Sequence, residues 1–349
     1  MSSKSISSAD LDHVVAIARP AFEALQGARI FMTGGTGFFG HWLVESLIRA
    51  NAKLNLDIRA TVLTRSTDRF RLRSPQIANH PAVTLMQGDI RDFDFPAEPH
   101  SHILHAATDS VVPPGAPAYE LPESILDGTR RVLHFARFTG ARRLLYVSSG
   151  AVYGRGINTV TNIPETYTGA PDPLALSSGY DEAKRMAEHL CVAYSQVTQL
   201  ECSIARCFAF VGPHLPLDAH FAIGNFIRDA IAGTPIHILG DGTPLRSYMY
   251  MSDLAAWLWT MLVRAPANRA YNVGSDHAVS IGELAHEVAN ALRPGLEIRI
   301  DGQPAAGIPP TSYVPDITRA RSELGLDITV DLSTAIRRTA EWHGFTPTL

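Results

Sequence analysis

The sequence predicts an α/β fold with a doubly wound parallel sheet and a smaller, discontinuous α/β domain. Apolar, strand-like runs alternate with helical segments up to about residue 212, and a glycine-rich turn joins the first strand to the first helix. After residue 212 the chain becomes rich in Pro, Gly and His. Uninterrupted apolar strands that alternate with helices are typical of a parallel sheet covered on both faces.

The predicted elements follow in chain order. Residues 10–26 have apolar positions at helical spacing with an interruption near Pro20, so residues 1–27 form a helical extension. Strands are predicted at 28–33, 58–64, 83–88, 102–107, 143–149 and 204–212, and helices at about 122–139 and 179–196. The larger domain comprises 28–212 with 246–274 returning to it, and the smaller domain comprises 213–245 and 275–349.

Composition excludes several functional classes. A formal charge of −4 leaves no basic face for a nucleic-acid backbone. Asp10 and Asp12 lie where a signal peptide needs an apolar core, and no apolar run approaches a membrane span, so a cytoplasmic protein is expected. Cys191, Cys202 and Cys207 lack metal-ligand spacing, which predicts buried, reduced thiols and no metal site.

The glycine-rich turn carries the first chemical signal. Gly34, Gly37 and Gly40 follow a strand and open a helix, which is the context of the Rossmann dinucleotide-binding turn. Glycine at these positions permits a tight turn, close approach to a pyrophosphate and close helix packing, with the anion at the helix N-terminus. The residues expected to line the cofactor here also include Thr36, Phe38 and Phe39.

The choice of dinucleotide depends on the end of the second strand. An acidic residue there would bind the ribose 2′-hydroxyl of NAD, but the chain reads Thr64-Arg65-Ser66. Arg65, with Arg69, could pair with the 2′-phosphate of NADP, or Arg65 could stack on adenine or face solvent. The cofactor is therefore predicted as NAD or NADP, with a modest preference for NADP.

Tyr180 and Lys184 are the predicted acid/base pair. They are four residues apart on a predicted helix and so share one face. Lysine is rare in this chain, at three of 30 basic residues, so the match is less prone to coincidence. We expect the Lys184 ammonium to lower the pKa of the Tyr180 phenol and to hold the nicotinamide ribose.

Ser148 and Ser149 end the fifth strand, and the carboxyl ends of parallel strands face the ligand crevice. A plain Ser/Gly turn would explain the same residues.

These motifs, in this order, resemble the extended short-chain dehydrogenase/reductases, specifically the nucleotide-sugar epimerase/dehydratase family. The resemblance implies that Ser149 orients the substrate hydroxyl, Tyr180 is the acid/base and Lys184 supports phenol and cofactor. It also implies a homodimer that acts on a nucleotide-diphosphate sugar. Further implied contacts are Asp89, Ile90, Ala106 and Ala107 to the cofactor, and Ser148, Asn225 and Arg246 to the substrate.

Two departures from the family pattern bear on the reaction. Family members that eliminate water or carbon dioxide have an acidic residue two positions after the catalytic Ser/Thr, where this chain has Ala151. Ala209 replaces an Asn that contacts substrate in many relatives. The predicted activity is therefore epimerisation, with C4 as the expected centre. An NADPH-dependent keto-sugar reductase is the alternative, a dehydratase is less favoured, and a NAD(P)-sensing regulator without turnover is the non-enzyme alternative.

Overall fold

The computed structural model describes the chain except residues 1–3, 109–111, 113, 114, 220, 306, 308 and 347–349. The strands are β1 Arg29–Thr33, β2 Arg59–Thr64, β3 Val83–Gln87, β4 His102–His105, β5 Arg143–Ser149, β6 Glu201–Cys207, β7 Phe210–Val211, β8 Ile236–Ile238, β9 Leu245–Arg246, β10 Met249–Tyr250, β11 Arg269–Val273, β12 Val279–Ser280, β13 Ile298–Ile300 and β14 Ser312–Tyr313. The helices are α1 Ser8–Ile17, α2 Arg19–Ala24, α3 Phe38–Leu54, α4 Thr67–Arg73, α5 Pro75–Ala78, α6 Glu120–Thr139, α7 Gly179–Val197, α8 Ala222–Ala232, α9 Met251–Arg264, α10 Ile281–Leu292, α11 Thr318–Leu324 and α12 Leu332–Trp342.

The chain divides into two compact units. The first comprises Met1–Arg155, Thr168–Cys207 and Ala255–Tyr271, and the second comprises Gly156–Tyr167, Phe208–Leu254 and Asn272–Leu349. The N-terminal extension therefore belongs to the first unit.

The first unit is built on a seven-stranded sheet with the order β11-β6-β5-β4-β1-β2-β3. The pairs from β6 to β3 are parallel. From β1 the chain winds outward to β3 on one side, and from β4 it winds to β6 on the other. This is the predicted Rossmann-type, doubly wound fold, and the order reverses between β1 and β4, where such folds bind ligands at the carboxyl ends of the strands.

The predicted strand over 204–212 is wrong in one respect. β6 ends at Cys207, and the Phe208 N–H donates to the Val273 carbonyl at 3.0 Å. The residues that follow form β7, which pairs in parallel with β10. The apolar run 204–212 is continuous in sequence, but its two halves belong to two different sheets.

The N-terminal extension packs on α3. Its helical pattern breaks at Ala18, and Pro20 lies in the first turn of α2, where a missing N–H costs nothing. The Phe22 ring is fully buried at 5.3 Å from the Trp259 ring. Asp12 is paired with Arg49 at 2.6 Å. The extension therefore shares the core of the first unit.

Replacing Phe22 with Ala tests this anchoring. Because the ring is fully buried, we expect the free energy of unfolding to fall by about 3–5 kcal/mol. The matched control is Leu239→Ala, since Leu239 is 79% exposed and its loss should change stability little. Urea denaturation followed by tryptophan fluorescence measures both. Equal stability of the two variants would contradict a structural role for residues 1–27.

The second unit contains the sheets β12-β9-β14, β13-β8 and β10-β7, with α8, α10, α11 and α12. Residues 156–167 also belong to it, although the sequence assigned them to the larger domain. The reason is a set of long-range hydrogen bonds: the Ile163 N–H donates to the Val314 carbonyl at 2.8 Å, and the Ile163 carbonyl accepts from the Asn272 amide at 2.8 Å. Across the described part of the chain, no helix combines the length and apolarity needed to cross a membrane.

Candidate active site

The glycine-rich loop between β1 and α3 has three glycines with different constraints. Gly34 has φ +75°, and a Cβ there would lie 2.6 Å from backbone atoms of Ala106. A Cβ on Gly40 would clash with the backbone of Gly34 and Gly35. Gly37 is different, because a Cβ there would lie 3.4 Å from the Gly34 carbonyl oxygen, an ordinary contact distance, so internal packing does not require glycine there. A ligand that approaches the backbone at the start of α3 does require it, and a dinucleotide pyrophosphate fits this position.

The loop is held from the outside by two side chains that the sequence analysis missed. His41 Nδ1 donates to the Gly37 carbonyl at 2.8 Å, and its Nε2 accepts from the Ser74 hydroxyl at 2.9 Å. The Arg73 guanidinium donates to the Thr36 carbonyl. Arg73 of α4 thus engages the Thr36 carbonyl directly, whereas Ser74, between α4 and α5, holds the His41 ring that engages the Gly37 carbonyl. The spacing could have indicated the first contact, because Gly37 is the N-cap of α3 and His41 lies four residues further along the same helix.

The segment Ala106-Ala107 is positioned by a buried histidine. The Ala107 N–H donates to the Thr33 hydroxyl at 3.1 Å, and that hydroxyl lies 2.8 Å from His105 Nδ1. His105 Nε2 lies 3.2 Å from the Thr129 hydroxyl, which itself donates to a backbone carbonyl. Neutral His105 with the proton on Nε2 satisfies every group in this chain of hydrogen bonds. No histidine was predicted to have a role, so this function of His105 was missed.

Burial lowers the pKa of His105 to about 3, from an ordinary value of 6.5. Between these values the unfolded chain binds more protons than the folded chain, so stability falls as the pH falls. At pH 5 we expect His105 alone to cost about 2 kcal/mol relative to pH 7. Urea denaturation at the two pH values should show a smaller loss for His105→Asn. The exposed His189→Asn variant should behave like the parent, and an identical pH dependence in all three proteins would contradict the prediction.

The residues expected near adenine lie after β2 and β3. Asp89 accepts from Arg91 through both carboxylate oxygens, at 2.8 and 3.1 Å, and this pairing lowers the pKa of Asp89. A Cβ on Gly128 would lie 2.8 Å from the Ile90 side chain, so Ile90 packs closely on α6. Arg65 is exposed and follows the buried Thr64 at the end of β2. Their contacts with a cofactor stay predictions.

Val147 and Ser149 of β5 contact Lys184 and Tyr180, which are four residues apart on α7. The Lys184 ammonium donates to the Val147 carbonyl at 2.8 Å. The Ser149 hydroxyl, which accepts from the Ala151 N–H at 3.1 Å, forms a hydrogen bond with the Tyr180 phenol. The structure therefore brings together Ser149, Tyr180 and Lys184, the three predicted catalytic residues.

The expected effect of Lys184 on Tyr180 differs from what the structure shows. Burial raises the pKa of Tyr180 to about 12, although the hydrogen bond from Ser149 opposes this. Burial also lowers the pKa of Lys184 to about 8. The Lys184 Nζ lies 5.9 Å from the centre of the Tyr180 ring and donates to Val147 instead. In this arrangement the phenol is protonated at neutral pH.

Ser148 and Ser149 have different surroundings, as neighbouring residues on a strand must. The Ser148 side chain is buried and donates to the Glu188 carboxylate at 2.5 Å. Arg206 forms an ion pair with Glu188 at 2.7 Å and donates to the Tyr153 hydroxyl at 3.0 Å. Because its hydroxyl is used within this buried group, we do not propose Ser148 as a substrate ligand.

Arg246 and Asn225 belong to the second unit. Arg246 donates to the Leu245 carbonyl at 2.8 Å and lies 5.9 Å from the centre of the Tyr313 ring. Asn225, near the start of α8, accepts from Arg228 at 3.1 Å. Their contacts with a substrate stay predictions. The three cysteines are buried, and within the described residues no cluster of three His, Cys, Asp or Glu side chains could hold a metal ion.

A glycine-rich loop at the reversal of a doubly wound sheet, together with Ser149, Tyr180 and Lys184, defines an enzyme of the extended short-chain dehydrogenase/reductase type. The model of the NAD dependent epimerase/dehydratase family matches residues 30–274, and the chain belongs to that family.

The curated relatives include UDP-glucuronic acid decarboxylases. The chain is 30% identical over 305 residues to UDP-glucuronic acid decarboxylase 6 of Arabidopsis thaliana, covering 87% of this chain and 85% of the relative. It is 28% identical over 319 residues to UDP-glucuronic acid decarboxylase 1 of Xenopus tropicalis, covering 90% of this chain and 72% of the relative.

Solved structures share the fold. The UDP-glucose 4-epimerase of Thermotoga maritima superposes with a TM-score of 0.74 at 20% identity, covering 90% of this chain and 98% of that chain. The UDP-glucuronic acid 4-epimerase of Bacillus cereus, solved in complex with NAD, gives a TM-score of 0.75 at 19% identity over the same shares.

Proposed function

We propose that this protein is a nucleotide-sugar epimerase that uses a nicotinamide dinucleotide. It would oxidise a sugar hydroxyl, with C4 as the expected centre, to a ketone and return hydride to the opposite face. The observation that carries the proposal is Ala151, at the position where an elimination or decarboxylation mechanism would use a carboxylate. Other acidic groups nearby are engaged: Asp181 is paired with Arg155 at 2.8 Å, and Glu188 with Arg206.

The chemistry assigned to each residue follows from its contacts. The bound nicotinamide would accept and return the hydride. Tyr180 would take the hydroxyl proton as a phenolate and return it to the ketone oxygen as a phenol, with Ser149 orienting that oxygen. The raised pKa of Tyr180 means that the structure contains the proton-donating form. Lys184 would supply positive charge beside the phenol.

The reductase alternative uses the same residues in one direction only. Purified protein incubated with a panel of nucleotide sugars, with and without NADPH, distinguishes the two by chromatography with mass spectrometry. A new isomer of unchanged mass without added reductant supports the epimerase. A product that gains two hydrogens as NADPH is consumed overturns the epimerase proposal in favour of the reductase. A product that has lost carbon dioxide or water shows that Ala151 does not exclude decarboxylation or elimination.

We further propose that the cofactor is NADP rather than NAD. Arg65 stands where NAD enzymes have an acidic residue. Arg73 adds a cation that the sequence analysis did not include, because it reaches the Thr36 carbonyl in the glycine-rich loop. Burial and the neighbouring Arg69 lower the pKa of Arg73, as expected for a buried member of a cluster of cations.

Isothermal titration with NADP and with NAD tests this preference. We expect NADP to bind at least about tenfold more tightly, and Arg65→Ser to remove that difference by weakening NADP alone. Arg71→Ser is the matched control, because Arg71 is exposed and paired with Asp68 on α4. Equal affinities, or tighter binding of NAD, would show that the arginines do not select a 2′-phosphate.

We also propose a homodimer, as the family resemblance implies. α6 and α7 carry exposed apolar side chains, among them Phe138 at 62% and Val197 at 82%. Light scattering coupled to size-exclusion chromatography gives the mass in solution. A monomer at micromolar concentration would refute this proposal.

A further inference from the structure

The contact between β5 and α7 includes a residue to which neither the resemblance nor the proposed mechanism gives a role. Tyr180, Lys184 and Glu188 are spaced by four on α7 and meet Ser149, Val147 and Ser148 of β5. Residues at this spacing lie on one face of a helix. Glu188 thus continues the catalytic face by one turn, into the buried interior.

Glu188 is held firmly in place. Its carboxylate accepts from Ser148 at 2.5 Å and from Arg206 at 2.7, 3.1 and 3.2 Å. Its side chain is 9% exposed and that of Arg206 is 18% exposed. A buried ion pair with several hydrogen bonds fixes geometry, because removing either partner leaves an unpaired charge.

Glu188 also differs in charge from the other titratable groups that surround Lys184. The titratable groups that face Lys184 are Tyr180, Glu188 and Cys191 on α7, Tyr146 on β5, His105 on β4 and Cys207 on β6. Burial raises the pKa of the two tyrosines and of Cys207 and lowers that of His105. The hydrogen bond with Cys202, together with burial, raises the pKa of Cys191, so all of these groups are neutral at pH 7. The paired Glu188 carboxylate supplies the negative charge in this set.

We propose that Glu188, fixed by Ser148 and Arg206, is a positioning residue that keeps the buried Lys184 ammonium charged and directed at the Val147 carbonyl. Burial alone disfavours the charged amine, and a carboxylate one helical turn away compensates for part of that cost. The inference rests on the proposed role of Lys184, but its physical content can be measured without substrate.

The scarcity of lysine makes the measurement direct. With Lys4, Lys53 and Lys184 as the complete set of lysines, ¹³Cε-labelled lysine gives three NMR signals whose midpoints can be followed between pH 6 and 12. We expect Glu188→Gln to lower the Lys184 midpoint by about one pH unit and to leave Lys4 and Lys53 unchanged. Glu182→Gln is the matched control, since Glu182 is a partly exposed glutamate on the same helix.

Two further variants keep the test decisive. If Glu188→Gln fails to fold because Arg206 loses its partner, the double variant Glu188→Gln/Arg206→Gln removes both charges. Its Lys184 midpoint should still be lower than that of the parent, but by less than in Glu188→Gln, because the loss of the Arg206 cation acts in the opposite direction. Glu188→Asp keeps the charge and should restore the midpoint toward that of the parent. An unchanged Lys184 midpoint in the folded neutral variants would overturn the proposal and leave the proposed function untouched. If the parent protein bound no dinucleotide and turned over no nucleotide sugar, the proposed function would be refuted instead.

Discussion

Replacing Tyr180 with Phe is expected to lower turnover by about 10²–10⁴-fold, the range that general acid–base catalysis contributes. The phenol is the group that can exchange a proton with the substrate oxygen, and its partner Ser149 cannot replace it, since an aliphatic hydroxyl is a far weaker acid. The ring remains, so packing against the surrounding core is retained. Steady-state kinetics on the substrate identified by the product screen measures the loss.

The control for this variant is Tyr194→Phe on the same helix, which should keep full activity because Tyr194 packs against His134. Titration with the dinucleotide should give near-parent affinity for both variants. If Tyr180→Phe kept the biological activity of the parent, the enzyme mechanism would be wrong and the alternative of a cofactor-sensing regulator would gain support.

Replacing Gly40 with Ala is expected to reduce dinucleotide affinity by about 100-fold or more, or to prevent folding. The added methyl group would meet the backbone of Gly34 and Gly35, and neither can move without displacing the loop. A loop displaced from the start of α3 no longer presents its N–H groups to a pyrophosphate. Calorimetric titration and thermal unfolding separate the two outcomes.

Gly140→Ala provides the comparison. Gly140 has φ +69° at the end of α6, and a Cβ there would meet nothing within 4 Å. We expect it to cost about 1 kcal/mol of stability through backbone strain, with cofactor affinity unchanged. Similar affinities for both variants would mean that close packing at Gly40 is unimportant for binding.

Local patterns account for what the sequence predicted well. The strands and helices of the first unit follow from continuous apolar runs and helical periodicity. The glycine-rich turn follows from the spacing of Gly34, Gly37 and Gly40 after a strand. The pair Tyr180 and Lys184 is likewise contained in one helical turn. Each of these signals needs only neighbours in the chain.

Contacts between distant residues account for what was missed. Thr33 and His105 are 72 positions apart, and Ser148 and Glu188 are 40 apart. Burial of a polar side chain depends on partners that no local pattern specifies. The different orientations of Ser148 and Ser149, in contrast, could have been inferred from the alternation of a strand.

The burial of Lys184 has a practical consequence for chemical labelling. Lys184 is 2% exposed, whereas Lys4 is exposed and the Lys53 side chain is 43% exposed. Lys4 precedes α1 and Lys53 lies in the last turn of α3. Amine-reactive dyes, biotin esters and activated resins should therefore react with Lys4 and Lys53 in preference to Lys184. The enzyme could then be immobilised in few orientations with the amine of its catalytic helix unmodified.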